Sequence, residues 1–525
     1  MASRAKSKLL FRFLLAAGVI LILLAGAAWT LVAHPPELLR VGAGHAAKTV
    51  CSNVFIAGRD AAAVVADDVQ APGHPFLKHL QVKIDQQRKV VRADFFGVIG
   101  AGLAVYRPGT GCAAVPDGDV AQAALYNYVP IKVWSPSPSV PWPTGSMAET
   151  VSSVQALVNQ DALAGPGMRG IAVIHRGRLV AQRYGEGFGL RTPLLGWSLT
   201  KTVNAALVGM QIAEGTLTPQ QSGFWPAGVD GRSKIALSQL MAMNSGLHFD
   251  ESYGGVSDLT RMLYLEPDMA AYAAAQPLAQ PAGGAWSDSS GTALLLSRIW
   301  QRAAAAGAQA GTGTGTGTAI AAGAETGTGA NTGAGAAAKA PGIGISGVTS
   351  AGARPGPAGA TSVAVLALPH DRLFAPMGMS SALIEADARG NVVGSSYMFA
   401  SAHDWARFGQ FLLQDGVWQG KHILPEGFVA TMRQPVAASA GRYGQGQVWL
   451  RGPQGGAPTG QNPDLPFNLP ADTYWMLGHD GQSIAIVPSK GLVVVRLGLT
   501  PDRLQYQPQA LLAGVIKALD TAPEN

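Results

Sequence analysis

The sequence predicts an α/β fold: an antiparallel sheet built from two distant stretches of chain, flanked by helices, with a mostly helical lobe inserted between them. Three observations carry this. Ile171–Ile174 and Leu179–Tyr184 read as strands joined at Arg176-Gly177-Arg178, a hairpin with glycine at the turn. Three further strand patterns close the chain, at Tyr474–Leu477, Gln482–Val487 and Leu492–Leu499. Between the two groups, apolar residues recur mainly at helical spacing. Strands at both ends and helices between them fit one sheet with a lobe inserted into it.

The first element is a membrane segment. Phe13–Ala33 carries no charge over 21 residues, and at 1.5 Å per residue it reaches roughly 30 Å, the thickness of a bilayer's hydrocarbon core. Arg4, Lys6, Lys8 and Arg12 precede it and supply four of the six net positive charges. Positive flanks stay in the cytoplasm, so the expected arrangement is a single-pass inner-membrane protein with its bulk in the periplasm. Trp29 falls near the outer interface. Ala25-Gly26-Ala27 would also suit signal cleavage; the length of the apolar run favours an uncleaved anchor. With the charge concentrated in this tail, no basic face is left to mark a nucleic-acid partner. An apolar share of 47% against 13% charge excludes a globally disordered chain.

Residues 36–143 form the next expected segment, an extension and linker. Val54–Ile56, Val90–Phe96 and Gly102–Tyr106 read as short strands, and the Pro/Ser-rich Ser135–Pro143 reads as the linker. Cys51 and Cys112 are the only cysteines. In an oxidising compartment they suit one disulfide, the alternative being two buried thiols. They make no zinc site by themselves, no His-Glu-x-x-His occurs, and no metal or cofactor is expected.

Residues 144–525 form the expected main domain. Val203, Ala206, Leu207, Met210 and Ala213 keep helical spacing in Thr200–Glu214, which Gly215 ends. Leu237–Met243, Ser257–Leu265, Thr292–Gln301, His403–Gln414 and Gln509–Leu519 read as further helices. Ala303–Ala360 is a Gly/Ala/Thr-rich tract with three charges, too plain to pack a core and expected as a disordered surface insertion.

The chemistry concentrates at Gly196-Trp197-Ser198-Leu199-Thr200-Lys201, where Ser-x-x-Lys opens a predicted helix. Residues three apart share a helix face, so the Lys201 amine can reach the Ser198 hydroxyl. A helix N-terminus favours a developing oxyanion, and a desolvated lysine can serve as base. The bland alternative makes Ser198 a helix cap and Lys201 a solvated charge. Ser3 and Lys6 show the same spacing in the tail, where it means nothing. No Gly-x-Ser-x-Gly elbow is present.

Several segments in order resemble the serine hydrolases of the class C β-lactamase and penicillin-recognising superfamily. The likeness is stronger to the branch of 6-aminohexanoate-dimer hydrolases and related esterases. They are Gly196–Lys201, Leu240–Leu247, Trp286–Ser297, Gly394–Gly409, Leu413–Pro425, and Gly478–Gln482 ahead of Ile484–Leu497. The resemblance implies a β-lactamase-like fold and amide or ester cleavage through an acyl-serine intermediate, without metal or cofactor. The partner implied is a small amide, ester or peptide. Penicillin-binding-protein-like peptidase or β-lactamase activity and a catalytically silent binding protein are the alternatives.

The resemblance also assigns roles. Ser198 would be the nucleophile and Lys201 its base or proton relay. Where the family usually carries a tyrosine, this chain has Asp288, which beside Lys201 would hold the ammonium form. Asp288 would replace the tyrosine as base; alternatively Tyr253 or His479 relays the proton, or the enzyme is slow or dead. Ser290 could bind substrate or cap the helix that follows. His479-Asp480-Gly481 matches the Lys-Thr-Gly element, so a fixed positive charge for a β-lactam carboxylate is missing. Gly481 would let substrate approach the backbone. The Gln482 N–H would join that of Ser198 as an oxyanion hole. Trp197 and Trp286 would line an apolar acyl pocket or pack the core.

Overall fold

The computed structural model describes residues 2–71, 73–131, 136–226, 228, 230–312, 363–455, 457–458 and 460–521. They divide into two units: residues 1–107, 112–125 and 250–267, and the remainder.

The first unit begins with helix α1 (Ala2–Ala33). Its stretch Phe11–Ala33 has a mean hydropathy of 2.4 and none of it is buried; it is long and apolar enough to cross a membrane, as an anchor or a signal sequence would be. After Pro35-Pro36, helix α2 (Glu37–Phe55) runs across a four-stranded sheet in the order β1-β2-β3-β4. The strands are β1 (Leu80–Asp85), β2 (Val90–Phe95), β3 (Ile99–Arg107) and β4 (Gly111–Ala114). The α2 face that packs is made of small residues, Ala43, Ala46, Ala47 and Val50, all fully buried with Val91, Ala93 and Phe95. Gly102 is needed for this approach, because a Cβ there would lie 2.4 Å from the Ala43 carbonyl. Cys51 and Cys112 form a disulfide that ties α2 to β4. Val54–Ile56, expected as a strand, instead contributes the end and C-cap of α2. The buried face of α2 runs on through Val50 and Cys51, and this helical continuity outweighs the β-branched residues. Val90–Phe96 and Gly102–Tyr106 do lie in strands β2 and β3, apart from Phe96 at the turn.

The second unit holds a five-stranded antiparallel sheet. It contains β5 (Met168–His175), β6 (Arg178–Tyr184), β7 (Tyr474–Gly478), β8 (Gln482–Val487) and β9 (Leu492–Gly498). The order β7-β8-β9-β5-β6 joins the two predicted groups through β9 and β5, which pair from Leu492↔His175 to Leu497↔Gly170. Helices α3 (Ser152–Val158) and α7 (Pro508–Asp520) cover one face, with Val154, Val158, Leu511, Leu512 and Val515 buried against Val173, Val487 and Val494. Helix α6 (Ala402–Leu413) covers the other, where Gly409 lies so close that a Cβ would sit 2.6 Å from Val493. Helices α4 (Leu199–Ala213) and α5 (Ser290–Thr312) form the inserted lobe. They are fastened by Asn204, whose side chain donates to the Ala293 carbonyl at 2.9 Å and accepts from Ser297 and Trp300.

Two expectations shift. Helix α5 runs through the first ten residues of the Gly/Ala/Thr-rich tract, alanine being the best helix former; residues 313–360 of that tract lie outside the described residues. Residues 136–143 of the expected linker are fastened rather than loose: Trp142 is buried, and Arg407 donates to the carbonyls of Pro143 and Gly145.

Candidate active site

Ser198 stands at the head of α4 with its backbone already helical, and its hydroxyl makes no capping bond. Trp197, just before it, takes a left-handed φ of +50°. For a bulky residue this is strained backbone, and such strain collects at functional sites. Three contacts hold it. Thr200 donates its hydroxyl to the Trp197 carbonyl at 2.6 Å and accepts from the Met398 N–H at 3.2 Å. The Gly196 N–H donates to the Met398 carbonyl, and a Cβ on Gly196 would lie 2.3 Å from the Trp405 indole.

Lys201, one turn into α4, is 2% exposed. It is therefore not the solvated charge of the bland reading. Its Nζ donates to Asp288 Oδ1 at 2.7 Å, and the carboxylate is 25% exposed. A carboxylate at this distance favours the ammonium form of the amine. Asp288 is set by the segment before α5, where the Ser287 N–H donates to the Met243 carbonyl, and Met243 is itself left-handed at φ +55°. The helix cap offered as the alternative role of Ser290 is made one residue earlier: the Ser289 hydroxyl accepts from the Thr292 N–H at 3.1 Å, while Ser290 is the buried first residue of α5.

The third element comes from the sheet. Strand β7 ends at Gly478, where a Cβ would lie 2.3 Å from the Gly196 carbonyl oxygen. This close approach brings the turn His479-Asp480-Gly481 to the loop that carries Trp197 and Ser198. The His479 ring meets the Trp197 ring edge-on at 5.5 Å, and its Nε2 lies 3.4 Å from Asp480 Oδ2. Burial pushes the Asp480 carboxyl above the usual range, with His479 opposing that shift. The turn is bound from beneath. The Gln482 side chain donates to the carbonyls of His479 and Asp480 and accepts from the Gly498 N–H, and buried Arg496 donates to the Gly481 carbonyl at 3.0 Å.

A cleft of about 530 Å³ opens beside the turn. Its walls include Trp449, Leu477, Gly478, Gly481, Gln482 and Arg442; Ser198, Lys201 and Asp288 are not among them. Trp286 packs against Tyr443 and Trp449 at 5.2 and 5.8 Å, under the Arg442 guanidinium. This makes Trp286 a packing residue, while Trp197 lies against Tyr397 and His479. Among the described residues no cluster of three or more His, Cys, Asp or Glu could hold a metal ion.

The structure thus gathers Ser198, Lys201, Asp288, Ser290, His479, Gly481 and Gln482 within one unit. Tyr253 belongs to the other unit and is 40% exposed there. Sequence reasoning missed the two glycines that let three elements converge, Gly196 and Gly478. Their signal was visible as glycines immediately before Trp197-Ser198 and His479.

A family model described as Beta-lactamase matches residues 154–506, well over half of the chain. The chain belongs to the Beta-lactamase family. Members of the Beta-lactamase family are serine hydrolases acting on amide or ester bonds. Among solved structures, this Beta-lactamase-family chain is similar to a candidate 6-aminohexanoate-dimer hydrolase from Bacillus anthracis. The two share 18% identity over 68% of this chain and 81% of that chain, with a TM-score of 0.47. It is also similar to a penicillin-binding protein homologue from Caulobacter crescentus, with 14% identity, 71% and 97% covered and a TM-score of 0.44. A class C β-lactamase from Rhodobacter sphaeroides gives 14% identity, 71% and 100% covered and a TM-score of 0.40. No curated protein matches the sequence.

Proposed function

We propose that the protein is a membrane-anchored periplasmic serine hydrolase that cleaves a small oligoamide, ester or peptide through an acyl-Ser198 intermediate. The observation that carries this is a buried lysine amine, one helical turn from a serine whose hydroxyl does not cap its helix, held 2.7 Å from Asp288. Ser198 Oγ attacks the substrate carbonyl carbon. Its proton passes to Lys201 Nζ as Lys201 hands one of its own to Asp288 Oδ1, so the amine stays protonated and the carboxylate is the net acceptor. Asp288 thereby takes the place of the family tyrosine. The backbone N–H groups of Ser198 and Gln482 receive the oxyanion. The leaving amine or alkoxide recovers the proton by the same path, and water then attacks the acyl-serine.

The substrate class follows from what stands in the Lys-Thr-Gly position. A histidine, His479, stands there in place of the family lysine, which favours uncharged amides and esters over β-lactams or peptidoglycan peptides bound through a carboxylate. The test is labelling with a fluorophosphonate probe, followed by turnover of p-nitrophenyl esters, short amides and nitrocefin. Labelling should vanish in Ser198→Ala and fall sharply in Lys201→Ala. A wild-type protein that takes no label would leave the silent binding protein as the correct reading. Nitrocefin turnover above that of esters would favour a β-lactamase.

A further inference from the structure

The first unit carries an exposed apolar tip beyond the end of β2, where Phe96 also stacks on the His79 ring at 5.1 Å. Strands β2 and β3 are joined by Phe96-Gly97-Val98, with φ values of +54° and +82° at Phe96 and Gly97, and the Val98 N–H donates to the Phe95 carbonyl at 3.1 Å. A hairpin turn with left-handed backbone at both central residues is normally made by Asn-Gly or Asp-Gly. Here a phenylalanine takes the strained position and leaves its ring 52% exposed. Val98 beside it is 56% exposed. Phe76 stacks on Phe95 at 5.1 Å and meets Phe96 at 6.0 Å, so the exposed rings form one patch. Lys78 adds an exposed cation next to it.

The patch lies where the apolar helix enters the unit. A Cβ on Gly100, at the start of β3, would sit 3.2 Å from the carbonyl carbon of Leu39 in the first turn of α2. A Cβ on Gly42 would meet Leu77 and Phe95 at 3.4 Å. Leu38, in the same turn, is 54% exposed, and residues of α1 and β3 come within 8 Å, Cα to Cα. Only His34–Pro36 separates α1 from α2, a link of at most ~10 Å at full extension. That is comparable to the ~5–10 Å depth at which interfacial apolar surfaces settle.

We propose that Leu38, Phe76, Phe96 and Val98 rest in the interfacial layer of the bilayer crossed by α1. The anchor and the tip together make a two-point contact that fixes the orientation of the first unit on the membrane. Aromatic rings with a nearby lysine suit the headgroup boundary. The inference rests on the reading of α1 as an uncleaved anchor.

The test uses the full chain in vesicles of phosphatidylcholine and phosphatidylglycerol. Both native cysteines are joined in the disulfide, so Val98→Cys takes a single environment-sensitive fluorophore. Gln87→Cys provides the control in the opposite turn of β2, ~20 Å away along a six-residue strand. The expected result is quenching of the label at 98 by nitroxide lipids with protection from aqueous iodide, and the reverse at 87. Adding Phe96→Asn, which suits the turn, should keep the unit folded and weaken the lipid quenching. Chain that fails to float with the vesicles would remove the anchor and this proposal with it. Chain that floats while the label at 98 stays open to iodide and silent to nitroxide lipids would sink the tip contact alone. Shielding from both quenchers would point to a protein surface over the tip and equally overturn the proposal.

Discussion

Replacing Asp288 with asparagine removes one negative charge 2.7 Å from Lys201 Nζ at nearly constant volume. Coulomb's law at an effective dielectric of about 20 gives roughly 6 kcal/mol of gross attraction at that distance. Desolvation of an amine only 3% exposed cancels much of it. Breaking a fully buried pair costs ~3–5 kcal/mol. Here the carboxylate is a quarter open to solvent, and the asparagine oxygen still accepts from the amine, so we expect a stability loss of ~1–3 kcal/mol. The catalytic effect should be larger. Losing the net proton acceptor should slow acylation by ~10²–10⁴-fold. The fluorophosphonate labelling rate reads acylation and the denaturation midpoint reads stability. A labelling rate in Asp288→Asn equal to or above wild type would refute the assignment of Asp288 as acceptor. Asp288→Tyr sharpens the contrast: a collapse means that the aspartate has been recruited, and a gain means that it is a lesion.

Three further outcomes are open to measurement. Gly478→Ala places a methyl group 2.3 Å from the Gly196 carbonyl; labelling should fall about 10²-fold with circular dichroism unchanged, and a full rate would show that the approach of β7 does not matter. Cys51→Ser with Cys112→Ser opens a crosslink spanning 61 residues and should cost about 4 kcal/mol in denaturant midpoint, a cost that an unchanged midpoint would disprove. Burial holds the His403 imidazole neutral in the fold down to about 3, against about 6.5 in the unfolded chain. Its folded value is depressed, so the stability linked to it is present above about pH 6.5 and lost as pH falls towards 3. His403→Gln should flatten the fall of the melting midpoint below pH 6.5, and an unaltered slope would count against the linkage.

The sheet was legible because its strands are apolar runs bounded by turn residues. Arg176-Gly177 and Pro488–Gly491 take left-handed φ at Arg176, Gly177 and Gly491. Most predicted helices were legible by period, with ends displaced by a residue or two, but α5 runs eleven residues past its expected end and α3 was not foreseen. Helix α2 was not foreseen at all: by sequence its stretch reads as part of an extension of short strands, with Val54–Ile56, β-branched at both ends, as one of them, whereas the buried face of small residues makes it a helix. The spacing of Ser198 and Lys201 put them on one helix face, but the same spacing recurs at Ser3 and Lys6, and the resemblance to a family was needed to single the pair out. The Lys201–Asp288 contact crosses 87 positions, and only the resemblance to a family put those two residues together. The left-handed backbone at Trp197 and Phe96 could not be read, since neither residue type announces it.

These two strained aromatics bear on how the chain uses positive φ. Elsewhere most left-handed positions fall on glycine or on short or flexible polar side chains such as Asp415, Gln419 and Asn468, where the cost is small or bypassed. Trp197 and Phe96 take the same backbone with large apolar rings, and each ring has a use that a glycine would not serve. The Trp197 ring is clamped between Tyr397 and His479 at 6.1 and 5.5 Å, which ties the residue before Ser198 to the turn after β7. Trp197→Gly would relieve the backbone but release that tie, so it should leave or raise the melting midpoint while lowering acylation. Phe96→Gly would relieve the hairpin in the same way and should leave acylation untouched while lowering lipid quenching at position 98. Strain relief that improved stability and function together at either site would mean that the ring is an accident of the turn.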